Sequence, residues 1–289
     1  MTNLKTNTLK LLKKRSIRLN KRKGQNYLVD SQILSKIMDH AEVSCKDTIL
    51  EIGSGIGTLT IPLAKRAEKV VAVEQDKEIA KILKERLKSL AISNVEIIIG
   101  DVVKEKLPPF NKVVSNLPYQ ISSPITFKLL KEKFDFAILM YQLEFAERML
   151  ANPGDNNYSR LSVMLHFCAE MQFLFEVSSE SFFPQPQVSS AVVKLIPLPE
   201  NSKAKVDTSF SNTSRALFQH KRKKVRNALL DSFHEISDID KNSVRAVISK
   251  LETRLIDERV FKLKPEEIMA ISDRLKELLA MNNINYENK

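Results

Sequence analysis

Between Thr48 and Tyr141, five short apolar runs alternate with amphipathic stretches, and the first run ends in a cluster of glycines. The runs are Thr48-Ile49-Leu50-Glu51-Ile52, Val70-Val71-Ala72-Val73-Glu74, Val95 to Ile99, Val113-Val114 and Phe136 to Tyr141. Short runs of this kind, rich in β-branched residues and nearly continuous in hydrophobicity, are the pattern of strands buried on both faces. Ile33, Leu34, Ile37 and Met38 mark a helix before the first run. Thr58 to Ala67 reads as a second helix, Ile79, Leu83 and Leu87 as the stripe of a third, and Phe127, Leu129 and Leu130 as part of a fourth. Strands alternating with helices predict a doubly wound, mostly parallel α/β sheet. Such sheets bind ligands at the carboxyl ends of their strands, which is where the polar motifs of this chain fall.

After Tyr141 the pattern changes. Phe145 to Leu150 and Arg160 to Phe167 read as helices, while Phe173 to Val177 and Ser190 to Leu195 read as strands added antiparallel at the sheet edge, making seven in all. The proline-rich Ile196-Pro197-Leu198-Pro199 closes this domain. Beyond Asp207 only helical patterns follow, over Ser214 to Gln219, Lys223 to Phe233, Ser243 to Leu251 and Pro265 to Leu279. The expected division is a basic arm over 1–23, an α/β domain over 24–200 and a small all-helical domain over 205–289.

The chain's 289 residues, 43% of them apolar, suffice for such a core, and a net charge of +11 predicts a polyanionic partner. The basic residues are not evenly spread. Lys5, Lys10, Lys13, Lys14, Arg15, Arg18, Lys21, Arg22 and Lys23 precede Val29 with no acid among them. A second block, Lys221, Arg222, Lys223, Lys224 and Arg226, also lacks acids. A charge run is commonly a solvated face, but two one-signed blocks on a basic chain favour phosphate contact. Cys45 and Cys168 fit neither a disulfide nor a metal pattern, and the four histidines suggest no metal site. With no secretory signal and no apolar run approaching a membrane span, a cytoplasmic, monomeric protein is expected.

The glycines define a cofactor loop. Gly53, Gly55 and Gly57 follow the first strand in the spacing Gly-x-Gly-x-Gly, shorter than the dinucleotide fingerprint that seats a diphosphate. The shorter spacing suits a smaller ligand without phosphate, and S-adenosylmethionine meets that description; NAD is the alternative. Glu74, at the end of the second strand, is placed to accept from ribose hydroxyls. Asp101, after the third strand, can accept from an adenine amino group, with the Val102 N–H donating to the ring.

Asn116-Leu117-Pro118-Tyr119 follows the fourth strand and leads into Ser122-Ser123-Pro124. Alone, such a tetrapeptide is an ordinary turn. Beside a cofactor loop it can grip one planar amine. The Asn116 side-chain oxygen and the Leu117 carbonyl accept its two protons, Pro118 fixes the turn, and Tyr119 stacks on the base.

Four motifs occur in order: Gly24-Gln25-Asn26-Tyr27-Leu28; Glu51 to Thr60; Asn116 to Ile125; and Phe182-Phe183-Pro184-Gln185-Pro186-Gln187-Val188-Ser189-Ser190. Together they resemble the ribosomal RNA adenine dimethyltransferases of the KsgA type, over about residues 20–230. The resemblance implies a Rossmann-like methyltransferase sheet that uses S-adenosylmethionine and releases S-adenosylhomocysteine. It implies dimethylation of two adjacent adenosines in the 3′-terminal hairpin of small-subunit ribosomal RNA, within pre-small-subunit particles. Carried over by position, Gln25, Asn26, Leu28, Gly53, Gly55, Gly57, Glu74, Asp101, Val102 and Asn116 form the cofactor site. Tyr119 and Phe182 stack on the target adenine, although a Phe-Phe-Pro run is by itself more often a core corner. Tyr27 stands where the family usually has Phe. Leu139 to Met149 is more similar to archaeal and eukaryotic members than to bacterial ones. The alternatives are the related large-subunit enzymes of the macrolide-resistance type, an assembly factor whose methylation is dispensable, and a DNA adenine methyltransferase.

Overall fold

The computed structural model describes residues 4–14, 26–203 and 206–281. In chain order the first elements are α1 (Leu4–Lys14), β1 (Tyr27–Leu28), α2 (Ser31–His40), β2 (Thr48–Ile52), α3 (Thr60–Ala64), β3 (Lys69–Glu74), α4 (Lys77–Ser89), β4 (Val95–Ile99) and β5 (Lys112–Asn116). Then come α5 (Ser122–Leu129), β6 (Phe136–Gln142), α6 (Leu143–Leu150), α7 (Arg160–His166), β7 (Ala169–Val177), β8 (Phe182–Phe183) and β9 (Ser190–Pro197). The remainder is helical: α8 (Glu200–Lys203), α9 (Thr208–Phe218), α10 (Val225–Ser232), α11 (Lys241–Ile248), α12 (Thr253–Asp257) and α13 (Pro265–Met281).

The main sheet has seven strands in the order β4-β3-β2-β5-β6-β9-β7. β2 pairs in parallel with β3 on one side and with β5 on the other. The chain therefore winds outward in one direction from β2 and then in the opposite direction from β5. A crevice opens at the carboxyl ends where winding reverses, so the loops after β2 and β5 face one space. β9 runs antiparallel to β6, from Ala137↔Leu195 to Gln142↔Ser190, with β7 outside it. β1 and β8 form a separate two-stranded ribbon that pairs Tyr27 with Phe183 and Leu28 with Phe182. It fastens the Asn26–Leu28 segment to the Phe182–Ser190 segment, a link the sequence pattern does not announce.

Local chemistry sets the element ends. Asp30 caps α2 by accepting from the N–H groups of Gln32 and Ile33, and Asp76 caps α4 by accepting from those of Glu78 and Ile79. α3 is shorter than the expected Thr58 to Ala67, because Gly57 has a φ of 88° and the chain is still turning at Thr58 and Leu59. α9 begins six residues before the expected Ser214. Its first turns bury Ser209, Asn212 and Thr213 rather than a row of apolar residues, which hides the helical stripe.

The chain forms two compact units, Met1–Ala146 with Met171–Pro197, and Glu147–Glu170 with Leu198–Lys289. A linear boundary at 200–205 therefore misassigns Glu147–Glu170. Those residues hold to the later helices: Tyr158 donates to the Leu263 carbonyl (2.9 Å), Arg160 to Ser211 Oγ (2.8 Å), and His166 lies 2.7 Å from Glu266. No helix among the described residues is long and apolar enough to cross a membrane.

At the amino ends of the central strands, Asp47 clamps β2 to β5. It accepts from the Ser44 N–H (2.7 Å), Asn111 Nδ2 (2.7 Å) and Lys112 Nζ (3.0 Å). The Lys112 and Asp47 side chains are only 11% and 7% exposed. Burial alone pushes the Asp47 carboxyl up; the bonds from Asn111, Ser44 and Lys112 outweigh it and hold the group at about 2. Its folded pKa is thus below the ordinary 3.8, so its stabilisation is full above that value and is lost as pH falls through about 2. Asp47→Ala is expected to cost about 3 kcal/mol, the low end for breaking a buried pair, because Lys112 keeps the Glu42 carbonyl as an acceptor. Denaturant titration measures the loss. The variant's stability is also expected to be flatter than the wild type's between pH 4 and 2.

Candidate active site

A cavity of about 320 Å3 opens at the carboxyl ends of β2, β3, β4 and β5, and Gly53, Glu74, Asp101 and Asn116 all line it. That volume is in the range of small-molecule sites. Asn26, Tyr27 and Leu28 complete one wall, and Leu117, Pro118 and Tyr119 another. Gln25 lies outside the described residues, as do residues 15–23 of the basic arm.

The glycine loop is built by close approach. Gly53, Gly55 and Gly57 all have left-handed backbones, with φ of 70°, 56° and 88°. A Cβ on Gly53 would lie 3.1 Å from the Pro118 ring, and one on Gly55 would lie 2.8 Å from the Tyr27 ring. The loop after β2 thus touches both the turn after β5 and the β1 ribbon. Gly57 does something different. It is not among the cavity-lining residues, and a Cβ there would strike Leu83 of α4 at 2.5 Å. It is a packing glycine, not a cofactor contact.

Among the described residues, the four charged ones that line the cavity are all acidic: Glu51, Glu74, Asp76 and Asp101. Glu74 is pinned by backbone, its Oε2 accepting from the Gly55 N–H (2.8 Å) and its Oε1 from the Asp76 N–H (2.9 Å). Burial nevertheless raises its pKa, against the pull of those two bonds. Asp101 Oδ1 accepts from the Val103 N–H at 3.0 Å. Glu51 is 2% exposed, and its Oε2 has no hydrogen-bond partner among the described residues. Burial, with the Glu74 charge adding to it, pushes Glu51 up to about 8. An orphaned carboxyl oxygen in the wall of an acidic cavity is matched by a cationic ligand. In sequence, Glu51 is only the first residue of the glycine motif. The available signal was a carboxylate one residue before the end of an otherwise apolar strand.

The turn after β5 is equally determined. Ser115 Oγ donates to the Ile52 carbonyl (2.6 Å), tying the ends of β5 and β2 together. Asn116 Nδ2 donates to the Asn26 carbonyl (3.2 Å). That carbonyl can only accept, so it fixes the amide's orientation and leaves Asn116 Oδ1 as an acceptor. The Leu117 N–H donates to the Met140 carbonyl (3.3 Å). Tyr119 Oη sits 2.6 Å from Ser190 Oγ, which joins this turn to the start of β9.

Two expectations change. Phe182 is 2% exposed and packs in the core with Leu28, Ile37, Met38 and Val177; it does not line the cavity. Side chains alternate along β8, and it is Phe183 that packs beside Tyr27. A base platform at Phe182 would need a ring that this packing covers. The second basic block, acid-free in sequence, is paired in space. Lys221 Nζ donates to the carbonyls of Asn156 (2.8 Å) and Tyr158 (3.1 Å). Lys223 pairs with Asp231, while Lys224 and Arg226 pair with Asp257. Arg222 is exposed.

The sheet order, the glycine loop and the carboxylate that ends β3 define a Rossmann-like methyltransferase. The chain belongs to the ribosomal RNA adenine dimethylase family, whose model matches residues 16–274. It is an S-adenosylmethionine-dependent enzyme that dimethylates adenine in ribosomal RNA. It is 49% identical over 267 residues to the "Probable ribosomal RNA small subunit methyltransferase A" of Methanosphaera stadtmanae, covering 92% of this chain and 97% of that protein. It is 47% identical over 279 residues to the like-named protein of Methanothermobacter thermautotrophicus, covering 96% and 98%. These are archaeal relatives, as the Leu139 to Met149 segment implied. Among solved structures, a dimethyladenosine transferase from Plasmodium falciparum aligns with a TM-score of 0.73 at 31% identity, over 89% of this chain and 98% of that one. The 23S rRNA methyltransferase ErmE aligns at 0.61 and 26%, over 86% and 99%.

The Tyr27 hydroxyl is buried and has no partner among the described residues. Burial, with the charges of Glu74 and Asp76, raises its pKa. Removing an unsatisfied buried hydroxyl recovers its desolvation cost. Tyr27→Phe is therefore expected to stabilise the protein by about 1 kcal/mol without weakening cofactor binding. Thermal unfolding with and without S-adenosylhomocysteine checks this; a drop in stability would reveal a partner for the hydroxyl.

Proposed function

We propose that this enzyme methylates N6 of two adjacent adenosines in the 3′-terminal hairpin of small-subunit ribosomal RNA, twice each. The observation that carries the reading is the Asn116 amide, locked by Asn26 at the wall of the cavity that the glycine loop also lines. The relatives at 49% and 47% identity, both named for the small subunit, support the target.

S-adenosylmethionine supplies a methyl group on a sulfonium, which a well-oriented lone pair accepts without a strong base. The acidic lining and the orphaned Glu51 oxygen suit a cofactor with two positive centres. Glu74 keeps lone pairs for the ribose hydroxyls beyond its two backbone bonds. Asp101 and the Val102 N–H receive the adenine edge, and Asn26, Leu28, Gly53 and Gly55 close around the rest. The N6 lone pair of the target adenine is delocalised into its ring. Asn116 Oδ1 and the Leu117 carbonyl hold the two N6 protons and favour a pyramidal, more nucleophilic nitrogen. Pro118 keeps those acceptors rigid. Only a base turned out of its stack can present N6 in this way, and Tyr119 replaces the lost stacking at ~1–3 kcal/mol.

The net charge of +11 supports contact with RNA phosphates, through Arg222, Lys223, Lys224 and Arg226 and through the arm over 1–23. Lys221, committed to backbone carbonyls, contributes by shaping that segment. The substrate is then RNA within small-subunit particles, met in the cytoplasm by a single copy of the chain. The likeness to ErmE keeps a large-subunit target as the second reading.

Tritium-methyl transfer to unmethylated small subunits tests the site. Asn116→Ala is expected to cut turnover by at least a hundredfold while RNA binding stays near normal, the scale of losing one oriented acceptor. Dimethyladenosine formed at the wild-type rate would refute the assignment. Glu74→Ala removes charge-assisted hydrogen bonds of ~1.5–3 kcal/mol each, so cofactor affinity is expected to fall tenfold or more by calorimetry. An unchanged affinity would remove Glu74 from the site.

A further inference from the structure

Lys128 stands on α5, the helix that follows the Asn116–Tyr119 turn, and its ammonium reaches the loop after β4. Nζ donates to the carbonyls of Val102 (2.7 Å), Val103 (3.1 Å) and Glu105. An ammonium carries three N–H donors, so one loop takes all of them. The side chain is half-buried. A lysine on an amphipathic helix more commonly turns its head to water.

The same loop carries Asp101 and Val102, both of which line the cavity. From within, it is held by turn bonds: the Asp101 carbonyl accepts from the N–H groups of Lys104 (2.8 Å) and Glu105 (2.9 Å). Those bonds fix the loop's shape but not its place on the protein. Charge-assisted bonds from a neighbouring helix fix its place. The glycine loop has a parallel support, since Arg86 of α4 donates to the Ile56 carbonyl.

We propose that Lys128 is a positioning residue that docks the Asp101–Glu105 loop onto the helix carrying the acceptor turn, and so presets the adenine end of the cofactor site. The inference rests on the reading of Asp101 and Val102 as adenine contacts. With Lys128 in place the loop waits in its bound arrangement; without it, the cofactor must order the loop on binding. Ordering at the moment of binding lowers affinity. It leaves methyl transfer untouched once the site is full, because Asn116 and Leu117 are held by Asn26 and Met140 instead.

Calorimetry on the full chain, with S-adenosylhomocysteine and 5′-methylthioadenosine as probes, tests this. Lys128→Met is expected to weaken both by about tenfold, since both carry the adenine. KM for S-adenosylmethionine is expected to rise with kcat unchanged. Lys128→Gln retains two N–H donors and is expected to fall between the two; it also serves if the Met variant does not fold. Lys104→Met removes a charge 3.7 Å from Asp101 on a side chain 82% exposed, and is expected to change neither affinity. Equal weakening by Lys104→Met would reduce the effect to bulk charge and overturn the proposal. Unchanged affinity in Lys128→Met beside weakened binding in Asp101→Ala would overturn the proposal alone. Unchanged affinity in Asp101→Ala would remove the adenine reading of this loop and the proposal with it. A fall in kcat without a change in KM would place Lys128 in the acceptor site instead.

Discussion

The contact between Gly53 and Pro118 is the constraint on which the site depends. β2 and β5 are neighbours at the point where the sheet's winding reverses, so their following loops must share one space. The loop after β2 bends at once, at a φ of 70° that favours glycine, and a Cβ there would press on the Pro118 ring at 3.1 Å. The consequence is that the glycine loop and the Asn116–Tyr119 turn line one cavity instead of two. Everything else holds those two loops in register. Ser115 ties β5 to the end of β2, Glu74 fastens Gly55 from the adjacent strand, and Asn26 reaches in from the β1 ribbon to orient Asn116.

Charge is arranged in opposition. The chain as a whole is strongly basic, yet among the described residues every charged one in the cavity wall is a carboxylate. Burial makes those carboxylates costly, as the raised pKa values of Glu51 and Glu74 record. A ligand bearing positive charge relieves that cost, whereas a phosphate would add to it. Such a charge arrangement attracts a polyanion to the exterior and repels it from the cavity, which is what the proposed entry of a single neutral base requires.

Much of this was legible in the sequence because strand ends are legible. An apolar run that stops at Glu74, Gly100-Asp101 or Asn116 announces where each polar group will lie in a parallel sheet, and all of these line one cavity. The seven strands were readable for the same reason. What escaped depends on contacts between distant residues. Gly-x-Gly-x-Gly does not say which glycine meets a ligand, and Gly57 meets Leu83. Two adjacent phenylalanines do not say which one points inward; the pairing of β8 with β1 decides that, and buries Phe182. The basic block reads as unopposed because Asp231 and Asp257 are not beside it in sequence. The Glu147–Glu170 segment joins the helical unit through Tyr158, Arg160 and His166, partners invisible to a linear boundary. Lys128 carries no signal in sequence, because the carbonyls that hold it belong to the distant loop after β4.

The most direct measurement is mass spectrometry of nuclease-digested RNA after unmethylated small and large subunits have each been incubated with the chain and S-adenosylmethionine. One cavity with an oriented acceptor for N6 predicts N6,N6-dimethyladenosine at two adjacent positions in the 3′-terminal fragment of the small-subunit RNA, and none in the large-subunit RNA. Dimethyladenosine confined to the large-subunit RNA, or methylation that never passes the monomethyl stage, would contradict the account.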